Sequence, residues 1–213
     1  MKKTERAEKI REILDRLYPD VKCTLDYSNP LEMLIATQLS AQCTDARVNI
    51  VTKELFKRYR TALEYAEADV KELEDLIRSA GFYKNKAKNI KACCRRIEDV
   101  YGGEVPGTME DLLTLAGTGR KTANLVLGDI FKKPAVVVDT HCIRLTNRLG
   151  LTSQKDPVKI EFELKKLLAP EYQLRFCHQV VAHGRLVCTA RNPKCAECAL
   201  REVCKTGAKT TGK

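Results

Sequence analysis

Apolar residues recur at helical spacing along most of the chain. In the first segment, the apolar positions from Ile10 to Leu17 follow the i, i+3, i+4, i+7 rule, and Pro19 comes directly behind them. Residues with this spacing lie on one face of an α-helix, which can then be buried. The pattern predicts an amphipathic first helix, with Thr4 as its N-cap.

Capping and breaking residues predict the other helices. Asn29-Pro30 is typical of a helix start, because asparagine caps well and proline fits the first helical position. Gly81 and Gly102-Gly103 are expected to end helices. Together these signals predict helices at about 29–39, 44–59, 69–79 and 83–101, a short one after Thr108, one from Asp156-Pro157 and one at about 172–187. Only residues 135–138 favour an extended stretch, without a similar partner, so the predicted fold class is all-α.

The composition is that of a globular protein with a polyanionic partner. The 213 residues are 44% apolar and 31% charged, enough for one or two domains, and no run approaches the ~18 apolar residues of a membrane span. The net charge of +10 favours a partner such as nucleic acid, although charge can also serve solubility alone. No secretory leader follows Met1, so we expect a cytoplasmic location with reduced thiols.

Four cysteines near the end of the chain, Cys188, Cys195, Cys198 and Cys204, have the spacing C-x6-C-x2-C-x5-C. The segment is short and has little apolar surface, so a metal centre would have to supply its order. Structural zinc usually takes two close pairs of ligands, and only one close pair is present here. The spacing favours an iron–sulfur cubane held by four thiolates, with zinc and disulfides as alternatives. Most of the other six cysteines are expected to be small buried side chains.

A glycine-containing turn lies between two predicted helices in the middle of the chain. Gly117 and Gly119 carry no side chains, so the backbone N–H groups there can face an anion, helped by the positive end of the following helix. A nucleotide-binding loop is the alternative, but such a loop follows a strand. Between two helices, the pattern predicts a helix-hairpin-helix clamp on the DNA backbone.

Lys121 and Asp139 are the candidate catalytic residues. Lys121 falls in the first turn of the helix behind the hairpin, where the helix dipole disfavours a cation, and partial burial would add to this effect. A neutral amine can attack a sugar carbon and form a Schiff base, whereas a charged one would contact phosphate. Asp139 stands at a predicted N-cap, where its carboxylate is stabilised and could assist the lysine. As an ordinary cap it would need no such role.

Several motifs together resemble the endonuclease III family of base-excision DNA glycosylases. The motifs are LAGTGRKTA at 115–123, VDTH at 138–141, QLSAQCTD at 38–45, GFYKNKA at 81–87 and the four-cysteine spacing. They cover almost the whole chain and occur in the order of the family. The resemblance implies a two-domain helical fold with the active site in the cleft between the domains, a six-helix domain at 23–133 that carries the hairpin, and an iron–sulfur domain at 1–22 plus 134–213.

The resemblance also implies roles for individual residues. Lys121 matches the catalytic lysine of the family and Asp139 its catalytic aspartate, while the four cysteines match the ligands of a [4Fe-4S] cluster. Gln42 matches the residue that fills the space of the extruded base, and Phe82 falls where relatives insert leucine. The candidate DNA-binding residues are Gln42, Phe82, Gly117, Gly119, Arg120, His141, Arg191 and Lys194.

The implied activity is that of a bifunctional DNA glycosylase and AP lyase acting on oxidised pyrimidines in duplex DNA. A monofunctional glycosylase for adenine or mismatched thymine or uracil is one alternative, and a helix-hairpin-helix binding module without catalysis is the other. Two residues depart from the family pattern: Ala116 replaces the usual hairpin proline, and Phe82 is a larger wedge than leucine. We expect a monomer of prokaryotic type, associated with the nucleoid and with no membrane partner. A flexible basic tail is expected from Thr206 to Lys213.

Overall fold

The computed structural model describes residues 1–207, and this part of the chain contains helices and no strand. The α-helices are α1 Lys3–Leu17, α2 Pro30–Leu39, α3 Asp45–Arg58, α4 Ala62–Glu67, α5 Val70–Ile77, α6 Tyr83–Tyr101, α7 Met109–Leu112, α8 Arg120–Asp129, α9 Thr140–Leu149, α10 Pro157–Leu167 and α11 Gln173–Leu186. No described helix is both long and apolar enough to cross a membrane. The prediction of an all-α fold is confirmed.

The predicted starts and ends of most helices agree with the structure. Asn29 and Asp156 cap α2 and α10 through their side chains, and proline follows each of them. Gly102 ends α6 in the left-handed conformation. The prediction of Thr4 as a cap is wrong, because α1 begins at Lys3.

The chain divides into two compact units. The middle unit comprises residues 24–133, and the terminal unit combines residues 1–23 with the chain from residue 134 onward. Residues 208–213, where we expected the rest of the flexible tail, lie outside the described part.

The middle unit is built around α2. Every residue of this helix from Leu31 to Leu39 is buried except Glu32, because α2 packs against α3, α6 and α8. Helix α6 packs against α4 and α5 and presents Ile90, Cys93 and Ile97 to the core. Burying one such aliphatic side chain contributes about 1.5–3 kcal/mol, so the packing of α2 on three neighbours fixes the point at which the chain leaves this helix.

The terminal unit packs α1 and α9 against α11. Residues 135–138 are buried here, but they form no strand, which agrees with the expectation of an extended segment without a partner. After Leu186 the described chain contains no α-helix, and Cys195–Glu197 is a short 3-10 turn. The segment that carries the four cysteines therefore receives little order from regular secondary structure.

Candidate nucleic-acid site and candidate metal centre

The predicted hairpin lies between α7 and α8. Gly117 has a φ of 74°, a conformation that side chains disfavour, and a Cβ there would stand 3.0 Å from both Asn89 Cβ and Gln38 Oε1. The buried side chain of Gln38 stabilises the turn, because its Nε2 donates to Ala116 O at 3.1 Å and to Thr118 Oγ1 at 3.3 Å. The hairpin is thus held rigidly without the proline that Ala116 replaces.

Gly119 differs from Gly117 because nothing inside the protein requires a glycine there. Its φ of −94° suits any residue, and a Cβ at this position would meet no atom within 4 Å. Gly119 is also the N-cap of α8, so no side chain caps the first N–H groups of this helix. A glycine in open space beside uncapped amides suits the close approach of an anion from outside.

Lys121 and Arg120 form the first turn of α8. The side chain of Lys121 is exposed, so the partial burial that we expected for it is not found. Arg120 is half-buried, and its carbonyl accepts a hydrogen bond from Asn124 Nδ2 at 3.1 Å. Lys121 therefore belongs to the first turn of a helix that no side chain caps, and its own side chain is exposed.

Gln42 and Phe82 share an uncommon backbone conformation. Only three non-glycine residues in the described chain have positive φ, and these two are among them, with φ of 54° and 49°. The third is Lys132, directly before the boundary between the two units. Gln42 is exposed, and Phe82 is 64% exposed despite its apolar ring. Strained residues of this kind cost about 1–3 kcal/mol each and cluster at functional sites.

Asp139 caps α9, as the sequence predicts. Its Oδ1 accepts the backbone N–H of Cys142 at 2.7 Å, and the residue is half-buried. Asp139 belongs to the terminal unit and Lys121 to the middle unit. Their meeting in one active site therefore stays a prediction.

His141 is tied to the end of α11 through Arg144. Arg144 Nη2 donates to His141 Nδ1 at 3.1 Å and to Gly184 O at 3.0 Å, and it also donates to Cys188 O at 3.0 Å. Because arginine can only donate, Nδ1 of His141 is an acceptor and the ring proton is on Nε2. Gly184 is needed for this contact, since a Cβ there would stand 2.7 Å from His141 Nδ1.

The four cysteines of the candidate metal centre line one cavity of about 140 Å³. Burial raises the pKa of Cys198, and the three other thiols act in the same direction, which places them within electrostatic reach. Among the residues that the structure describes, no three Cys, His, Asp or Glu side chains converge on a single ion. Four thiols that line one cavity fit a cluster held by four thiolates, as the sequence spacing predicts.

Hydrogen-bond donors surround the cysteine sulfurs. Arg148 Nη1 donates to Cys188 Sγ and the N–H of Gly207 donates to Cys204 Sγ, both at 3.3 Å. The buried ring of His183 places Nε2 3.4 Å from Cys198 Sγ. Such donors stabilise thiolates, which are the form that binds iron.

His183 is held in place from its other side by Tyr18. The Tyr18 hydroxyl and His183 Nδ1 are 3.0 Å apart. Burial lowers the pKa of His183, so the ring is neutral. Because a thiolate at Cys198 can only accept, the neutral ring would carry its proton on Nε2 and accept from the Tyr18 hydroxyl at Nδ1.

Arg148, in the last turn of α9, holds the cysteine segment at both of its ends. Its guanidinium donates to Thr189 O at 2.8 Å and Ala190 O at 2.9 Å, while its own carbonyl accepts the N–H of Thr206 at 3.1 Å. The predicted basic residues Arg191 and Lys194 are exposed on this segment.

Sequence reasoning missed five residues that support the two sites: Gln38, Lys86, Arg144, Arg148 and His183. Only Arg144 and Arg148 carried a usable signal, since they lie four residues apart and therefore on one face of the helix that Asp139 caps.

Two family models match the chain. The HhH-GPD superfamily base excision DNA repair protein model matches residues 35–170, and the iron-sulfur binding domain of endonuclease III matches residues 188–204. The first match contains the hairpin, and the second spans the four cysteines. The predicted [4Fe-4S] cofactor is confirmed.

Curated and solved relatives cover nearly the whole chain. Endonuclease III of Synechocystis sp. is 52% identical over 95% of this chain and 93% of that relative. A non-covalent endonuclease III–DNA complex matches with a TM-score of 0.94 and 42% identity, covering 100% of both chains. A trapped endonuclease III–DNA covalent intermediate matches with the same TM-score and identity over 99% of this chain and 100% of that one. The chain therefore belongs to the endonuclease III family of base excision DNA repair proteins, as its motifs predict.

Proposed function

We propose that Lys121 is the nucleophile and Asp139 its assisting carboxylate in this chain, which is a DNA glycosylase and AP lyase. The predicted activity on oxidised pyrimidines is confirmed by the comparisons, whereas the residue roles are our proposal. The observation that carries it is the exposed side chain of Lys121 in the first turn of a helix that no side chain caps, two residues after a glycine with open space in front of it.

Duplex DNA is the substrate, and we assign the binding of its phosphates to the hairpin in the first place. The N–H groups around Gly117 and Gly119 would donate to phosphate oxygens, assisted by the positive end of α8. Further backbone contacts are assigned to Arg120, His141 and the exposed pair Arg191 and Lys194. These contacts position the duplex and carry no sequence information.

Base extrusion is assigned to Gln42 and Phe82. A damaged pyrimidine with a saturated ring stacks poorly, so its extrusion costs less than the few kcal/mol of an intact base. Gln42 would fill the vacated space, and the exposed ring of Phe82 would insert between bases on the opposite strand. Selection of damage then follows from the lower cost of extrusion.

Lys121 is sufficient as the only nucleophile for both base displacement and strand cleavage. Its amine attacks the sugar C1′, the bond from C1′ to the base breaks, and the base leaves with the bonding electrons and a proton. Ring opening gives a Schiff base between Nζ and C1′. Loss of a proton from C2′ then expels the 3′ phosphate by β-elimination, and water releases the lysine. Asp139 would steady positive charge on the sugar and accept a proton.

The [4Fe-4S] cluster is assigned to Cys188, Cys195, Cys198 and Cys204. Its contribution is structural order for the segment that presents Arg191 and Lys194. Elimination at a sugar transfers no electron, so the proposed steps do not need one from the cluster.

A panel of duplexes tests this assignment against both alternatives. The protein is incubated with thymine glycol, uracil, or adenine opposite 8-oxoguanine, and base release and strand scission are measured separately. We expect both from thymine glycol, with borohydride trapping a covalent protein–DNA adduct. Base release without scission would support a monofunctional glycosylase, and binding alone a module without catalysis.

The Lys121→Gln variant separates chemistry from binding. Scission and trapping should fall to background, while affinity for the lesion stays within about threefold, because the amides do not depend on the side chain. Full activity of this variant would overturn the role of Lys121.

Two further proposals concern the whole protein. We place it in the cytoplasm with the nucleoid, as its substrate requires, and we expect it to act as a monomer, since one molecule must enclose one lesion.

A further inference from the structure

Lys86 is an almost fully buried lysine of the middle unit. It lies in the first turns of α6, is 6% exposed, and its Nζ donates to Leu39 O at 2.8 Å and to Ala80 O at 2.9 Å. Leu39 is the last residue of α2, and Ala80 ends the 3-10 turn Arg78–Ala80 behind α5. One ammonium group therefore joins the carboxyl ends of two helical segments.

The two helix ends account for the presence of a cation in this position. Burial lowers the pKa of Lys86, whereas the neighbouring Cys43 thiol acts in the opposite direction. Carbonyl dipoles at the end of a helix attract positive charge, and here two such ends face the same ammonium. A buried lysine is retained only where such partners compensate for its lost hydration.

Each of the two bonded carbonyls lies two or three residues before a strained residue. The chain leaves Leu39 through a turn, in which Cys43 N–H donates to Ser40 O, and reaches Gln42 at a φ of 54°. It leaves Ala80 through Gly81 and reaches Phe82 at a φ of 49°.

The backbone also ties Lys86 to Phe82. The N–H of Lys86 donates to Phe82 O at 3.0 Å, so its backbone and its side chain hold the Phe82 loop on both sides of Gly81. Gln42 and Phe82 are themselves exposed, so their placement depends on the loops that carry them.

We propose that Lys86 is a positioning residue that fixes the Gln42 loop and the Phe82 loop relative to each other, so that both side chains enter the duplex together. It touches neither base nor sugar and acts only through the two carbonyls. The inference rests on the proposed roles of Gln42 and Phe82 in base extrusion. Without the bridge, each strained loop could relax independently. Gln42 and Phe82 would then no longer insert into the duplex together, and base extrusion would become slower.

Lys91 offers a matched control on the same helix. Its Nζ also donates to two backbone carbonyls, Ala66 O at 3.0 Å and Ala68 O, at the end of α4. Lys91→Met therefore removes the same kind of bridge without touching either loop. Lys86→Met removes the bridge of interest and keeps an apolar stem of similar length.

Two substrates separate positioning from chemistry. Excision of thymine glycol from a duplex needs base extrusion, whereas β-elimination at an abasic site in a single strand does not. We expect Lys86→Met to slow single-turnover excision from the duplex by about tenfold or more and lyase activity on the single strand by less than about threefold. Lys91→Met should change both rates by less than about threefold.

A spectroscopic readout follows extrusion directly. With 2-aminopurine placed beside the lesion, binding of the catalytically inactive Lys121→Gln variant should raise the fluorescence as stacking is lost. Adding Lys86→Met to this variant should abolish the rise. Lys86→Arg, which keeps a cation with several donors, should restore part of both the fluorescence change and the duplex rate.

The outcomes distinguish this inference from the proposed function. Equal losses on both substrates, or an unchanged duplex rate, would overturn the role of Lys86. If Lys86→Met does not fold, Lys86→Gln replaces it, because glutamine keeps an N–H donor without the charge. This variant must likewise slow excision from the duplex and leave lyase activity on the single strand nearly unchanged. If the wild-type protein neither cleaves nor forms an adduct with the single strand, the proposed function of Lys121 fails instead.

Discussion

The hairpin of the middle unit and the cysteine segment of the terminal unit obtain their order in different ways. The hairpin has a left-handed glycine, Gly117, and a buried amide, Gln38, that supports its carbonyl and hydroxyl groups. The cysteine segment has no α-helix and buries only Leu200 and Val203 among its large apolar residues. It is held instead by arginine side chains at its first end, by the Arg148 carbonyl at its other end, and by the cluster that we assign to its four cysteines.

The difference corresponds to two ways in which the chain would present the backbone and basic groups that we assign to DNA binding. A hairpin inside a packed unit needs no cofactor, because the surrounding helices already fix its backbone. A segment with few buried apolar groups needs a bound group, whose ligand bonds replace the missing core. Removal of the cluster should therefore affect one region and spare the other.

The largest effect is expected from Cys198→Ser, which removes one of the four proposed cluster ligands. The visible absorption of the cluster should be lost, and DNA affinity should fall on the order of 100-fold at low salt, because several phosphate contacts are lost together. Amide hydrogen exchange should rise across residues 188–206. It should stay unchanged across 115–122.

Cys23→Ser is the control, because it changes a thiol outside the cluster set and should keep both absorption and affinity. Equal loss of protection in the hairpin would contradict the comparison, and so would unchanged DNA binding by protein without the cluster.

Sequence patterns predicted the local features of the fold and missed those that depend on tertiary contacts. Asn29-Pro30 and Asp156-Pro157 identified helix starts because capping is a short-range interaction. Helix α4 was missed although Thr61 and Glu64 form a capping box, since only six helical residues follow and no apolar period can be recognised. The predicted cap at Thr4 failed because the helix already begins at Lys3, two residues before the start that this cap implies.

The candidate sites show the same division. The glycines and cysteines could be found from sequence because their chemistry is specific to the residue type. Lys86 and Gln38 could not be found, because their partners are backbone carbonyls brought close by folding. The exposure of Lys121, contrary to expectation, depends equally on the packing around α8.

A pair of glycine substitutions tests the hairpin half of the comparison. Gly117→Ala should lower the free energy of unfolding by about 1–3 kcal/mol, because alanine is strained at positive φ and would press on Gln38 and Asn89. Gly119→Ala should lower it by less than about 1 kcal/mol. Its DNA affinity should nevertheless fall about tenfold, because the new methyl group occupies the space that a phosphate would approach.

Urea unfolding and binding to an abasic-site duplex measure the two quantities. A Gly119→Ala protein that binds DNA like the wild type would show that the hairpin amides do not contact phosphate. A Gly117→Ala protein of unchanged stability would show that the turn does not depend on the left-handed conformation of Gly117.

The smallest effects are expected from single charges on the cysteine segment. Lys194→Ala and Arg191→Ala should each weaken binding about threefold and lower the slope of log affinity against log salt by about 1, since each removes one phosphate contact. Lys57→Ala is the charge-matched control, because Lys57 already pairs with Glu54 at 2.9 Å on α3. In protein without the cluster, the two substitutions should have no further effect, because the disordered segment no longer presents these charges. A full effect of either substitution in that protein would mean that the segment keeps its shape without iron.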